Sequence, residues 1–128
     1  MKRQTIKEAL EDEPDVRVET YHVYVIREGD TVFYVGQSKN TKTRLHGHLG
    51  YDERFDQTPT GRFILKCAPQ SDSWLFEQYT LDECRDLALG YCGTIPWFWG
   101  VNWRWLRERY IVDKAEEALI QHYRPCFN

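Results

Sequence analysis

Tyr21-His22-Val23-Tyr24-Val25-Ile26-Arg27-Glu28-Gly29-Asp30-Thr31-Val32-Phe33-Tyr34-Val35-Gly36 is the stretch that decides the fold. Two runs rich in β-branched and aromatic residues flank Glu28-Gly29-Asp30, which is turn chemistry, so the segment reads as a β-hairpin. A three-residue loop over Glu28 to Asp30 pairs Arg27 with Thr31 and therefore Tyr24 with Tyr34. Directly opposed residues share a face, so both tyrosines and His22 point one way. Val23, Val25, Phe33 and Val35 point the other way, an apolar set suited to a core. A two-residue Gly29-Asp30 loop would instead separate the tyrosines.

Outward from the hairpin, Asn40 or Thr41 caps a helix running to about Leu49, with Gly50 as the stop. Arg44 and His48 lie one turn apart on it and share a face. Residues 51 to 60 read as a loop and Arg62 to Lys66 as a short helix. Ser73 to Tyr79 reads as a third strand. Thr80-Leu81-Asp82-Glu83 is a capping box that opens a helix to about Leu89. Gly90 to Trp103 is an aromatic loop. A helical region from about Arg104 to Tyr123 follows; Asp113-Lys114-Ala115-Glu116 resembles a second capping box, which leaves open one helix or two. At the other end, Thr5 to Glu13 reads as a short helix stopped by Pro14. The expected architecture is α+β: a three-stranded antiparallel sheet flanked by helices. Residues 1–20 form an acidic extension, and residues 21–128 form the main domain with an aromatic-rich insertion around 90–105.

The chain has 128 residues, 41% of them apolar and 29% charged. That is enough for one hydrophobic core and excludes disordered, collagen-like and coiled-coil classes. No apolar run approaches the length of a membrane span. The basic start, Met1 to Lys7, has no apolar stretch after it, so no signal peptide is expected. Net charge is −3, yet the charge is uneven: six acids face one base between Glu8 and Glu19, and no acid occurs between Thr31 and Tyr51. Lys39, Lys42, Arg44, His46 and His48 fall in that acid-free stretch, where a polyanion would bind. The four cysteines, Cys67, Cys84, Cys92 and Cys126, form no C-x-x-C pair. They read as free, mostly buried thiols in a cytoplasmic protein. A zinc site from Cys84, Cys92 and a histidine has no standard spacing.

His22-Val23-Tyr24 and Tyr34-Val35-Gly36-Gln37-Ser38-Lys39-Asn40, with Arg44 ten residues after Tyr34 and His48 one turn later, resemble the GIY-YIG nuclease superfamily. Ala115-Glu116-Glu117-Ala118-Leu119-Ile120 and the tail Arg124-Pro125-Cys126-Phe127-Asn128 resemble that family's closing helix and end. The likeness covers residues 21–50 and 111–128 well and the middle loosely. His22 and Val23 depart from the family's first motif, which keeps only its tyrosine. The resemblance implies a DNA endonuclease that leaves a 5′ phosphate and a 3′ hydroxyl, with Tyr24 as general base.

The chemistry of the residue types agrees. Arg44 has the planar, always-charged fork that binds phosphate oxygens. Glu116 suits Mg²⁺ (or Mn²⁺), a hard cation content with one carboxylate, waters and substrate oxygens; adjacent Glu117 is the alternative ligand. Tyr34 would hold phosphate or water, and Asn128 would cap or orient the site. His48 rivals Tyr24 as base, since its ordinary pKa needs no large shift. Lys39, Lys42, Arg104 and Arg107 are candidates to grip the DNA backbone. Trp97, Phe98, Trp99, Trp103 and Trp105 are expected chiefly to build core; stacking on bases and a dimer interface are the other readings. The chain is short for a nuclease with its own sequence-reading domain, so target recognition comes from residues 51–110, from a partner, or is absent; cutting both strands would be easiest for a homodimer, which nothing in the sequence demands. The competing function is an inactive nucleic-acid-binding or protein-interaction module of the same fold.

Overall fold

The computed structural model describes residues 1–11, 21–51, 57–97 and 99–128, apart from the Lys42 side chain. In chain order the elements are β1 (Lys2–Thr5), α1 (Ile6–Glu11), β2 (Tyr21–Glu28), β3 (Thr31–Gln37), α2 (Thr41–His48), α3 (Pro59–Lys66), β4 (Leu75–Thr80), α4 (Leu81–Cys92) and α5 (Trp103–Tyr123). The sheet is antiparallel, with strand order β1-β4-β2-β3. Among the described residues it therefore has four strands, where three were expected.

The additional strand comes from the segment expected to be an extension. β1 reads Lys2-Arg3-Gln4-Thr5 and has no apolar alternation, so pattern alone does not reveal it. It is held by its backbone ladder to β4 and by polar side chains: Gln78 Nε2 donates to Gln4 Oε1 at 2.9 Å, and Arg3 pairs with Glu77 at 2.7 Å. α1 follows directly and buries Ile6 and Ala9 in the core. Residues 2–11 are thus built into the domain. The remainder of the expected helix, with Pro14, lies outside the described residues.

Helices cover both faces of the sheet. On one face Tyr24, Ile26, Phe33 and Phe76 pack with Ile6, Ala9, Leu45, Leu49, Ile64 and Trp74 from the α1–α3 side. On the other, Val23, Val25, Val32 and Val35 pack with Cys84, Ile111, Val112, Ala115 and Leu119 from α4 and α5.

The hairpin corrects the expected register. Glu28 opposes Thr31 across the two-residue loop Gly29-Asp30, so Tyr24 opposes Gly36, and Tyr34 opposes Ile26. The tyrosines nonetheless share a face, because the register shifts between Ile26 and Arg27 and leaves Phe33 unopposed. This is a β-bulge, which adds one residue and reverses the alternation on one strand. Its second consequence is that Val32 takes the place expected for Phe33, and Phe33 joins the tyrosine-side core.

Several boundaries also move. β4 and α4 are framed by the Thr80–Glu83 capping box as expected, but α4 continues to Cys92 and stops at Gly93. α5 is a single helix of 21 residues. Asp113 opens no second helix: its carboxylate accepts from Gln37 Nε2 at 2.8 Å. Cys84 is buried as expected, whereas Cys92 and Cys126 are exposed; all four cysteines are free. Among the described residues no helix is long and apolar enough to cross a membrane.

Candidate active site

β2 and β3 bring Tyr24 and Tyr34 together with ring centroids 5.9 Å apart. Tyr24 is fully buried and packs on Phe76. Gly36, opposite Tyr24, lets the phenol lie flat on the strand: a Cβ there would stand 2.5 Å from the Tyr24 hydroxyl and 2.6 Å from the Tyr34 ring. α2 follows from Asn40, whose Oδ1 accepts the Thr43 N–H at 3.0 Å. Thr41 Oγ1 donates to buried Gln78 Oε1 at 2.5 Å, so the helix start is fixed to β4. The helix then presents Arg44 and His48 to the tyrosines.

His48 Nε2 lies 2.7 Å from the Tyr24 hydroxyl, and the His48 ring meets Tyr34 edge-on at 5.0 Å. Its other nitrogen, Nδ1, lies 2.5 Å from Thr58 Oγ1. Arg44 also hydrogen-bonds Tyr24. Guanidinium only donates, so the Tyr24 oxygen accepts from Arg44 and its own proton goes to His48 Nε2. His48 Nδ1–H then donates to Thr58, whose oxygen also accepts the Gly61 N–H at 3.1 Å. This tautomer, assigned from the hydrogen-bond pattern, pairs the protons of the Tyr24–His48–Thr58 chain.

Burial, with the Arg44 charge, lowers the His48 pKa from its ordinary 6.5 to about 4. Tyr24 is raised well above its ordinary value, first by burial and then by Tyr34, with Glu116 adding to the rise; Arg44 opposes it. At neutral pH the pair is therefore phenol and neutral imidazole. The stability consequence has a definite sign. A histidine with a depressed folded pKa binds its proton in the unfolded chain first, so stability is complete above about pH 6.5 and falls as pH drops toward 4. The shift corresponds to roughly 3 kcal/mol across that window. Urea unfolding at stepped pH should show an acid slope that flattens in His48→Gln; equal slopes in the two proteins would contradict the assignment.

Thr58 was not foreseen, since residues 51–60 read as a loop. Thr58 caps α3 with Pro59 following at the first helical position, a signal present in the sequence. Its backbone N–H also donates to the His48 carbonyl at 3.2 Å. Gly61 permits this approach: a Cβ there would stand 1.5 Å from the His48 oxygen. The obstacle is backbone, so Gly61→Ala must displace α3 and the Thr58 contact with it. We expect a lowered thermal midpoint, measured by circular dichroism; an unchanged midpoint would refute the packing.

Glu116 arrives from α5, on the other face of the sheet, at the end of β3. Its carboxyl pKa is raised by burial first, with Asp113 and Glu117 adding to it, while a hydrogen bond from Gln37 opposes the rise. Its Oε2 is buried with no hydrogen-bond partner among the described residues. Glu117 is different: it is exposed and paired with Lys114 at 3.0 Å. Among the described residues no three His, Cys, Asp or Glu side chains converge on a metal position, which excludes a zinc-type cage there, including one from Cys84 and Cys92. An orphaned carboxylate oxygen beside other acids does fit a hard divalent cation that takes one carboxylate and otherwise water and substrate.

The other expected site residues are more scattered. Asn128 accepts the Val35 N–H at 2.8 Å and donates to the Val35 carbonyl at 2.7 Å. The Cys126 and Phe127 backbone N–H groups donate to the Val32 and Phe33 carbonyls at 3.2 and 2.8 Å, so the tail covers the free edge of β3. Asn128 thus positions the strand that carries Tyr34. Lys39 is exposed beside the start of α2; the Lys42 side chain and Phe98 lie outside the described residues. Arg104 and Arg107 sit at the beginning of α5, roughly 18 and 13 Å of helix from Glu116. His22 lies at a second irregularity in β2 and lines a cleft against α5. The chain matches no family model, and no curated protein or solved structure matches it.

Proposed function

We propose that the chain is a metal-dependent DNA endonuclease of the GIY-YIG type. The observation that carries the proposal is the convergence of Tyr24, Tyr34, Arg44 and His48 around one buried hydroxyl, with an unpartnered Glu116 oxygen nearby. Hydrolysis forms a bond from water oxygen to phosphorus and breaks the bond to the 3′ oxygen, which takes a proton from solvent to leave as the 3′ hydroxyl, while the proton gained by His48 is later returned to solvent. The Tyr24 oxygen takes the water proton as its own proton passes to His48 Nε2. Thr58 holds the imidazole in the tautomer that can receive it. The phosphodiester charge raises the proton affinity of this pair, which in the free protein stays neutral. Arg44 binds the non-bridging oxygens and offsets the charge they gain in the transition state. Tyr34 orients phosphate or water through its hydroxyl. Glu116 would hold Mg²⁺ or Mn²⁺, which supplies Lewis-acid stabilisation of the leaving 3′ oxygen. Free thiols support a reducing, cytoplasmic setting.

The ends of the product test this reaction. Supercoiled plasmid nicked in Mg²⁺ or Mn²⁺ should be resealed by DNA ligase with no prior end treatment, because a 5′ phosphate faces a 3′ hydroxyl. Ends that ligase cannot seal, or no nicking of plasmid or branched duplex with either metal, would overturn the proposal. Metal-independent DNA binding without turnover would assign the inactive binding module.

A further inference from the structure

The aromatic segment expected to build core stands in solvent. Trp97 is 74% exposed, Trp99 89% and Trp105 51%, with Val101 fully exposed between them. Apolar surface of this extent marks a binding site. Its charges say for what. Arg107 lies over the Trp97 ring at 5.9 Å, Arg104 over Trp103 at 5.4 Å and Arg109 over Trp105 at 5.4 Å. Residues 97–109 hold three arginines and one acid, Glu108, in a chain whose net charge is −3. Among the described residues no carboxylate pairs with Arg104 or Arg107. Covering them with an apolar protein face would bury unpaired charge, which is costly; phosphates would pair them. The strip leads into a cleft of about 510 Å³ lined by His22, Gln37, Lys39, Trp105 and Arg109, with Glu108 as its one acid. Gln37 is also the residue that bonds Glu116. Trp105 and Glu116 are separated by roughly 16 Å of helix, a span of a few nucleotides.

We infer that the Trp97–Arg109 strip and its cleft bind an unpaired DNA strand, with bases stacked on the tryptophans and phosphates held by Arg104, Arg107 and Lys39. The substrate class is then DNA with a single-stranded segment next to the cut, such as a flap or overhang. Exposed ring faces suit bases whose own faces are open, which a blunt duplex offers only at its ends. The inference rests on the nuclease reading for its account of why the strand is led toward Glu116.

Anisotropy with a labelled single strand, a blunt duplex and the same duplex carrying a flap, all in EDTA, tests it. Single strand and flap should bind about tenfold tighter than blunt duplex. Trp105→Ala should weaken them about tenfold, the scale of one lost stacking contact, while Trp105→Phe keeps most of the affinity. Replacing Arg104 and Arg107 with alanine should lower the salt slope by about 1.4. Equal affinity for strand and blunt duplex, or no effect of Trp105→Ala, would overturn the inference. A tryptophan-dependent dimer in light scattering would overturn it too and assign the strip to a second copy. Glu116→Gln separates the two readings: it should abolish cutting and keep full strand affinity. Strand preference without cutting by any protein would sink the nuclease alone, and Glu116-dependent cutting without strand preference would sink this inference alone.

Discussion

Tyr24→Phe should lower the single-turnover cleavage rate about 10²–10⁴-fold, the usual contribution of a positioned proton-transfer group. The substitution keeps the ring and its contact with Phe76, so the sheet and the Tyr34 position stay as they are. What is lost is the hydroxyl of the proposed proton path. The His48 Nε2 atom loses its partner at 2.7 Å in a site where the residue is only 2% exposed. Leaving that acceptor unsatisfied costs about 1–3 kcal/mol, so a modest drop in thermal midpoint should accompany a large drop in rate. The reverse pattern, a large stability loss with activity retained, would mean that Tyr24 is a core residue and that His48 acts without it.

Glu77→Ala should be the most destabilising surface-distant change, at about 3–5 kcal/mol. Glu77 is 1% exposed on β4, opposite Arg3 of β1. Its Oε2 accepts from Arg3 Nε at 2.8 Å and pairs with Arg3 Nη2 at 2.7 Å; its Oε1 faces Arg27 Nη1 at 3.4 Å. Removing the carboxylate takes away the buried counter-charge of Arg27, whose side chain is only 15% exposed and keeps the Gly29 carbonyl at 2.7 Å and the Tyr123 hydroxyl at 3.4 Å, while Arg3 at 55% can turn to water. The loss is a large part of a typical domain stability of 5–15 kcal/mol, and corresponds to roughly 10–20 °C in midpoint. β1 amides should also exchange faster, because the Arg3 pair ties that strand down. A midpoint within a few degrees of wild type would contradict this account of the sheet edge.

Local chemistry made much of the fold legible. The hairpin, the Asn40 and Thr80 caps and the final helix all carry their signals within a few residues. The shared face of Tyr24 and Tyr34 emerged from a different register than expected. A three-residue loop and a two-residue loop with a bulge at Phe33 give the same relation between the tyrosines, and a sequence pattern cannot separate them. They differ at Val32 and Phe33, which exchange faces. β1 escaped notice because its ladder uses backbone groups that every sequence has, and its side chains are polar. Thr58 escaped because its role depends on where α3 lands against His48, a tertiary fact. The tryptophans misled for a physical reason: size and apolarity predict burial on average, while the alternation of Trp with Arg over residues 103–107 was the signal for surface. Glu116 over Glu117 could be reached from spacing only as a choice of two, and packing of α5 decided which carboxylate is buried.

The proposed phosphodiester hydrolysis is assigned to Tyr24, His48 and Arg44 together with Glu116, which approaches from the other face of the sheet. Its most direct measurement is the nicking rate of supercoiled plasmid by wild type, Tyr24→Phe and Glu116→Gln at equal concentration, with Mg²⁺ and with EDTA. Cutting by wild type alone, abolished by EDTA and reduced at least about a hundredfold in both folded variants, is the predicted result. Wild-type cutting that both variants retain would place the activity elsewhere and contradict the assignment.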